Sequence, residues 1–459
     1  MNTETAMASV RASESTAVLR EGLLLALLSL TVTLVVMNTT MFNVALPQVS
    51  KDFGLSSTMA SWIVTGYSIV FAIFSITYSR LSDFIPIRLL LTIGLADLVV
   101  ASLLGLFSHH FIPLLLARLL QAAGAASAPG LGIVLITRYI PASRRGKAMS
   151  YIMSSASLGF GLGPVLGGAI TQYLGWNFLF VVTGIVLVLI PFFYRSLPLE
   201  NANKGHFDLI GAVLVGIGTT GLLLFLTTYS AVALVAGAVS LVAFWLRIRR
   251  VHSPFVQPAL FRNKAYMTLS AMGFVSYVAQ FTSLFLMPML LIRLFGVSSA
   301  ATGLLIFPGA ITAAIASNGI GKLIDRFGNR PLFRWGHVLL LGATLLFAMF
   351  GKVSPYAVLG IYMLMSVGIT SVTTSVSNEM SRILPKDMVG AGMGLAQLTQ
   401  FFGGAFGVAM TGIALVWQKN LSLAAAFSNI FWVMVVVMAV SALLSVAYRA
   451  SGMAYRSAN

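Results

Sequence analysis

GFGLGPVLGG, residues 159–168, puts five glycines and a proline into ten positions between the small, apolar flanks MSYIMSSASL and AITQYLGW. Glycine and proline are the two poorest helix formers. In a bilayer the balance changes: small residues let helix backbones approach where no hydrophobic force drives association. A proline there bends a helix whose freed carbonyl neighbouring helices satisfy. The stretch therefore reads as a bent, glycine-surfaced membrane helix. Gly159, Gly163, Pro164, Gly167 and Gly168 are the candidate hinge, packing against a helix from elsewhere in the chain and closing it against leak.

The rest of the chain agrees. Of 459 residues 58% are hydrophobic and 8% charged, with mean hydropathy +0.95, whereas soluble domains carry about 25% charged residues. Windows such as GLLLALLSLTVTLVVM (22–37) and FWVMVVVMAVSALLSV (431–446) hold no charge. About 20 such residues cross a membrane. The expected fold is an all-α polytopic membrane protein of fourteen spans, from 22–46 to 424–447. The spans 208–229 and 231–247 form a tight hairpin.

With this count, 23 of the 28 lysines and arginines fall in the tails and alternate loops on one side, and four on the other. The positive-inside rule makes the first side, with both termini, cytoplasmic. The net charge of +17 is thus spread between spans, which speaks against nucleic acid as a partner. The first twenty residues show no secretory signal. There are no cysteines, and the five histidines lack metal-ligand spacing, so no metal or cofactor is expected. Nor is there a P-loop, HExxH or G-x-S-x-G motif. No enzyme is expected.

The chain repeats itself. SRLSDFIPIR (79–88) matches GKLIDRFGNR (321–330) through Asp83/Asp325 and Arg88/Arg330, and RYIPASRRGKA (138–148) matches RILPKDMVGAG (382–392). Gly159, Gly163 and Gly168 meet Gly403, Gly407 and Gly412, with Val408 in place of proline. Three motifs in one order, at near-constant offset, predict two parallel six-helix halves with a substrate site between them. The expected units are a tail over 1–21, a first bundle over 22–195, a linker and two-helix insert over 196–264, a second bundle over 265–447 and a tail over 448–459.

These motifs resemble the major facilitator superfamily. SRLSDFIPIR is similar, in part, to its signature between the second and third spans. LLARLLQAAGAA (115–126) is similar to the fourth-span signature with its membrane arginine, and GFGLGPVLGG to the fifth-span antiporter signature. Fourteen spans resemble the drug:proton antiporter branch, and NVALPQVSKDFG and GHFD (205–208) resemble Gram-positive tetracycline and multidrug exporters. The resemblance implies proton-coupled export of lipophilic compounds from a bacterial cell membrane by a monomer. Where that subgroup carries membrane acids this chain has Thr39, Phe160 and Gly404, which argues against a metal–tetracycline cation as cargo.

Charge inside a bilayer is costly and usually functional. Asp97 and Arg118 lie at depths that let their side chains meet, and with Glu379 they are the proton-coupling candidates. A permanent structural ion pair and, for Glu379, a local pair with Arg382 are the plainer alternatives. Asp83, Arg88, Asp325 and Arg330 are gating candidates, and Asp208 caps the seventh span. Polar and aromatic residues within apolar spans suit a lipophilic ligand: Asn38, Thr39, Asn43, Tyr67, Gln121, Tyr277, Gln280, Phe281, Gln397, Gln400 and Phe401. A proton-coupled transporter of one physiological lipid or metabolite, and a non-transporting sensor or assembly partner, are the competing functions.

Overall fold

The computed structural model describes residues 3–456 apart from 198–199, 201–206, 252–253 and 386–387. Side chains are not described at 3–20, 137, 142–143, 145–147, 149–150, 153, 318, 325, 390 and 449–456. The gating candidate Asp325 lies in a helix but its side chain falls outside this set.

Seventeen α-helices account for the described chain. In the first half these are α1 (Thr3–Asp52), α2 (Ser57–Leu81), α3 (Ile87–Leu106), α4 (Phe111–Ala125), α5 (Ser127–Tyr139), α6 (Ala142–Tyr173), α7 (Leu179–Gly184) and α8 (Leu189–Ser196). An insert follows, α9 (Leu209–Thr228) and α10 (Ala231–Ile248), then the short α11 (Ala259–Arg262). The second half is α12 (Lys264–Met289), α13 (Ser299–Phe327), α14 (Asn329–Phe350), α15 (Pro355–Ile383), α16 (Val389–Trp417) and α17 (Leu423–Arg456).

Thirteen segments among the described residues are long and apolar enough to cross a membrane. The fourth, Phe111–Ile136, is α4 and α5 joined at Ala126, and the fifth, Trp176–Ser196, is α7 and α8 with 3-10 turns. The one expected span without a counterpart among the thirteen, 148–171, is helix α6. It nonetheless runs the length of the bundle: Arg144 at its start pairs with Glu21 of α1 at 3.0 Å, and just past its end Trp176 donates to Asp52.

Local chemistry starts the helices where the sequence supplies caps. Ser56, Ser298 and Ser354 accept hydrogen bonds from Met59, Ala301 and Tyr356, and Asn263 accepts from Tyr266, each satisfying an orphan first-turn N–H. The α9–α10 hairpin turns through Tyr229 at φ 55°, the one non-glycine residue with positive φ among those described.

Asp208 fastens that insert. Its side chain, 1% exposed, accepts from Gly211 N–H at 2.9 Å, Arg247 Nε at 2.6 Å and Phe255 N–H at 3.1 Å, joining α9, α10 and the following loop. Burial alone would raise this carboxyl, but the arginine and the two backbone donors outweigh it and hold the group below its ordinary 3.8. A carboxylate depressed in the folded state stabilises above its unfolded value and loses that contribution as pH falls through the folded one. Asp208→Asn is therefore expected to cost about 3 kcal/mol at pH 7, because Arg247 is left without its partner. In thermal melts the gap between variant and parent should close below about pH 4. A gap that stays constant with pH would show that the charge does not matter.

The repeat is visible in three dimensions. α6 runs parallel to α1, with Gly159 against Thr33, Gly163 against Met37 and Thr40, and Gly167 against Met41. α16 runs parallel to α12 in the same way, with Gly403 against Phe274 and Gly407 against Val278 and Thr282. Each glycine helix then turns a second face to the opposite half. Gly168 meets Ser299 and Ala300 of α13, and Gly412 meets Ser57 and Ser61 of α2. The two halves thus meet along two antiparallel seams, α6–α13 and α2–α16. Only two of the five hinge candidates, Gly168 and Pro164, reach the other half; the remaining three pack on α1.

Candidate functional site

The first half holds a buried polar network at mid-depth. Arg118 and Gln121 stand three residues apart on one face of α4, so the Arg118 guanidinium folds onto its neighbour and Nη1 donates to Gln121 Oε1 at 2.8 Å. The same nitrogen donates to Asn38 Oδ1 of α1 at 3.2 Å, which also accepts from Thr183 of α7 at 3.2 Å. Gln121 Nε2 donates to Ser102 of α3 at 2.9 Å. Asn38 and Thr39 donate to the Tyr67 hydroxyl of α2, each at 3.4 Å.

Arg118 is 1% exposed, sandwiched 4.3 Å from the Phe42 ring and 4.2 Å from the Tyr67 ring. Its described hydrogen-bond partners are amide oxygens, and Nε, like Asn43 Oδ1, has none. Ring faces and amide dipoles thus carry a full charge that would otherwise need a carboxylate. The expected meeting with Asp97 does not occur. Asp97, on α3, faces Tyr78 of α2 and the backbone of Gly124, and forms no ion pair among the described residues.

An aromatic chain leads from this network into the second half. Tyr67 stacks on Phe71 at 6.0 Å, Phe71 meets Phe401 of α16 at 4.9 Å, and Phe401 meets Tyr277 and Phe281 of α12 at 5.6 and 6.0 Å. Gln400 lies over Gly273, where a Cβ would stand 3.0 Å from its amide nitrogen. Gln280 and Gln397 are part-exposed on the same two helices. The arrangement offers flat apolar surface beside a fixed positive charge.

Two carboxylates organise the helix ends on the side of the termini. Glu379 of α15, 7% exposed, accepts from Asn329 at 2.6 Å, Tyr448 at 3.1 Å and Arg382 at 3.4 Å, so it ties α14 and α17 together beyond its local pair. Glu200 accepts from the Ile87 N–H at 2.7 Å, from Arg138 at 3.3 Å and from the Tyr139 hydroxyl. Burial, followed by Glu200, pushes the Tyr139 phenol well above its usual range, so it remains a donor. Asp83 pairs with Arg138 at 3.2 Å rather than with Arg88, whose guanidinium lies 3.4 Å over the Tyr194 ring. Arg330 lies near Tyr448.

Sequence reasoning missed Thr183, Ser102, Phe42, Phe71 and Glu200. Phe71 carried a signal, one helical turn beyond Tyr67. Glu200 carried none, since a loop acid is ordinarily solvated.

The sequence model of the Major Facilitator Superfamily matches residues 28–408 and 269–457. The chain is 29% identical over 406 residues to the multidrug efflux pump LfrA of Mycolicibacterium smegmatis, covering 86% of this chain and 80% of that one. It is 26% identical over 314 residues to the riboflavin transporter RibZ of Clostridioides difficile, covering 66% and 69%. Among solved structures, a POT family transporter in complex with 5-aminolevulinic acid superposes with TM-score 0.71 at 16% identity, over 92% of this chain and 96% of that one.

Proposed function

Because the chain belongs to the Major Facilitator Superfamily, we propose that it is a secondary active exporter of lipophilic small molecules. It couples inward proton movement to efflux by alternating access, in a bacterial cell membrane with both termini in the cytoplasm. One observation carries the choice of cargo: Arg118 stands buried beside an aromatic chain and, among the described residues, has only amide oxygens for hydrogen-bond partners. A site with that fixed charge repels multivalent cations and accepts neutral, zwitterionic or anionic lipophiles. Similarity to LfrA supports drug efflux. Similarity to RibZ supports the second reading, a single planar physiological substrate.

Asp97 and Glu379 are the carboxylates available for coupling. Reconstituted protein with an internal pH dye is expected to show drug-dependent proton flux under an imposed gradient. Asp97→Asn abolishing it alone assigns coupling to the first half, and Glu379→Gln alone to the second. No flux with any compound, from folded wild type, overturns the reading.

A further inference from the structure

The two-helix insert ends in charge that no acid balances. Between Asp208 and Asp325 the sequence holds no Asp or Glu, yet Arg247, Arg249, Arg250, Arg262 and Lys264 crowd the connection from α10 to α12. Asp208 neutralises Arg247. The other four are exposed, and none has a carboxylate partner among the described residues. Two rings draw them together. The Arg249 guanidinium lies 4.4 Å from the Trp245 ring, and Trp245 meets Phe261 edge-on at 5.5 Å, which sets α11, with Arg262 at its end, against the last turn of α10. Lys264 then opens α12.

The bare face of α10 leads straight into this cluster. Val235, Val239, Val242 and Leu246 recur at three- and four-residue spacing and so share one face, and all four are exposed. Gly237, on the opposite face, packs on Gly221 of α9. Arg249 and Arg250 follow Leu246 by three and four residues, within a turn closed by the Arg250 N–H donating to Arg247 O at 2.9 Å, and so continue the bare face. From Val235 to Leu246 is roughly 16 Å along the axis, about one leaflet of a ~30 Å hydrocarbon core. Trp245, part apolar and part wet, stands where an interfacial aromatic belongs. The C-terminal end of a helix by itself repels anions; Arg249 and Arg250 reverse that sign.

We propose that this face of α10, with Arg249, Arg250, Arg262 and Lys264 at its end, binds an anionic phospholipid from the leaflet on the side of the termini. The phosphate sits among the guanidinium and ammonium groups, and an acyl chain lies along the valine row, whose side chains are stiff and lose little freedom to it. A zwitterionic lipid gains less, because its own ammonium meets the same cations. The bound lipid braces the insert, whose α9 covers a seam between the halves: Leu223 and Leu226 join Ile69 and Ile73 of α2 and Ala405 and Ala409 of α16 in one apolar cluster. The inference does not depend on the cargo.

The test titrates purified full-length protein in mild detergent with phosphatidylglycerol or with phosphatidylcholine of the same chains, and counts bound lipid by native mass spectrometry. Phosphatidylglycerol is expected to bind at least tenfold tighter, with the difference shrinking as salt rises. A basic residue beside an anionic headgroup is worth roughly fivefold in affinity. The variant Arg249→Gln, Arg250→Gln, Arg262→Gln, Lys264→Gln should therefore lose at least tenfold for phosphatidylglycerol and little for phosphatidylcholine. The variant Arg195→Gln, Lys322→Gln, Arg326→Gln, Arg334→Gln removes as much charge from other helix ends and should bind as wild type does. Glycerol phosphate, with a similar charge and no acyl chains, should not displace the lipid. Equal affinity for the two lipids, equal loss in the two variants, or displacement by glycerol phosphate would overturn the proposal. If the first variant does not fold, the lipid comparison and the displacement on wild type decide.

Discussion

Arg118→Ala is expected to fold and to lose transport by about 100-fold, equivalent to roughly 2.7 kcal/mol of lost interaction with the moving cargo. Stability should change less than the number of severed contacts suggests. Removing the side chain leaves Gln121 Oε1 without its donor and Asn38 Oδ1 with Thr183 alone, and an unsatisfied buried acceptor costs about 1–3 kcal/mol. Against this stands relief of a buried charge that holds no carboxylate partner among the described residues, a penalty of several kcal/mol. The two terms oppose each other, so the melting temperature moves little while export falls. Arg118→Met separates charge from bulk. It fills the space between Phe42 and Tyr67 and should be as inactive as alanine. Arg118→Met exporting at more than half the wild-type rate would show that the arginine only packs. Arg118→Lys keeps the charge but not the planar face between two rings, and should fall between wild type and alanine.

Gly303→Ala is expected to cut export at least tenfold, on the scale of a 1–3 kcal/mol overpacking penalty. A methyl group there would fall inside contact distance of the Pro164 carbonyl oxygen, 2.7 Å from its carbon and 2.9 Å from Val165 Cα. These are backbone atoms, so the whole of α6 or α13 must shift. The far end of the seam then closes poorly, and proton leak without cargo should rise. Gly412→Ala at the mirrored seam meets Ser61 Oγ at 2.7 Å, Ser61 Cβ at 2.8 Å and the Ser57 carbonyl oxygen at 2.9 Å, a milder approach than that of the Pro164 carbonyl to Gly303, so its effect should be smaller. Gly342→Ala, with nothing within 4 Å, serves as control. Equal export by Gly303→Ala and the control would show that the seam tolerates separation.

The glycine run, the repeat offset and the basic loops made the architecture legible, because each is a one-dimensional pattern imposed by the bilayer. The site was legible only in part. Arg118, Asn38, Gln121 and Tyr67 stood out as polar groups in apolar spans, and the folded chain brings all four together. The Asp97–Arg118 pairing failed because counting residues from a helix end gives depth and says nothing of rotation about the axis. Asp97 is turned toward Tyr78 and Gly124. Thr183 and Ser102 were invisible for another reason. Hydroxyl side chains in spans usually bond the carbonyl four residues back, and both do so here as well, so their second partners leave no trace in sequence. For Glu379, a proton-coupling candidate, the plainer alternative was a local pair with Arg382 because the two are near in sequence, whereas Asn329 and Tyr448 arrive from other helices.

The α6–α13 seam also sets a timetable for biosynthesis. Gly168 leaves the ribosome well before Ser299, the residue it will touch. At about 5–20 residues per second the wait is on the order of 10 s. Throughout that interval the glycine face of α6, with its exposed backbone, has only lipid or the insertion machinery for company. A completed first half is therefore a vulnerable intermediate, and the quality-control burden of this protein falls on the time between its two halves.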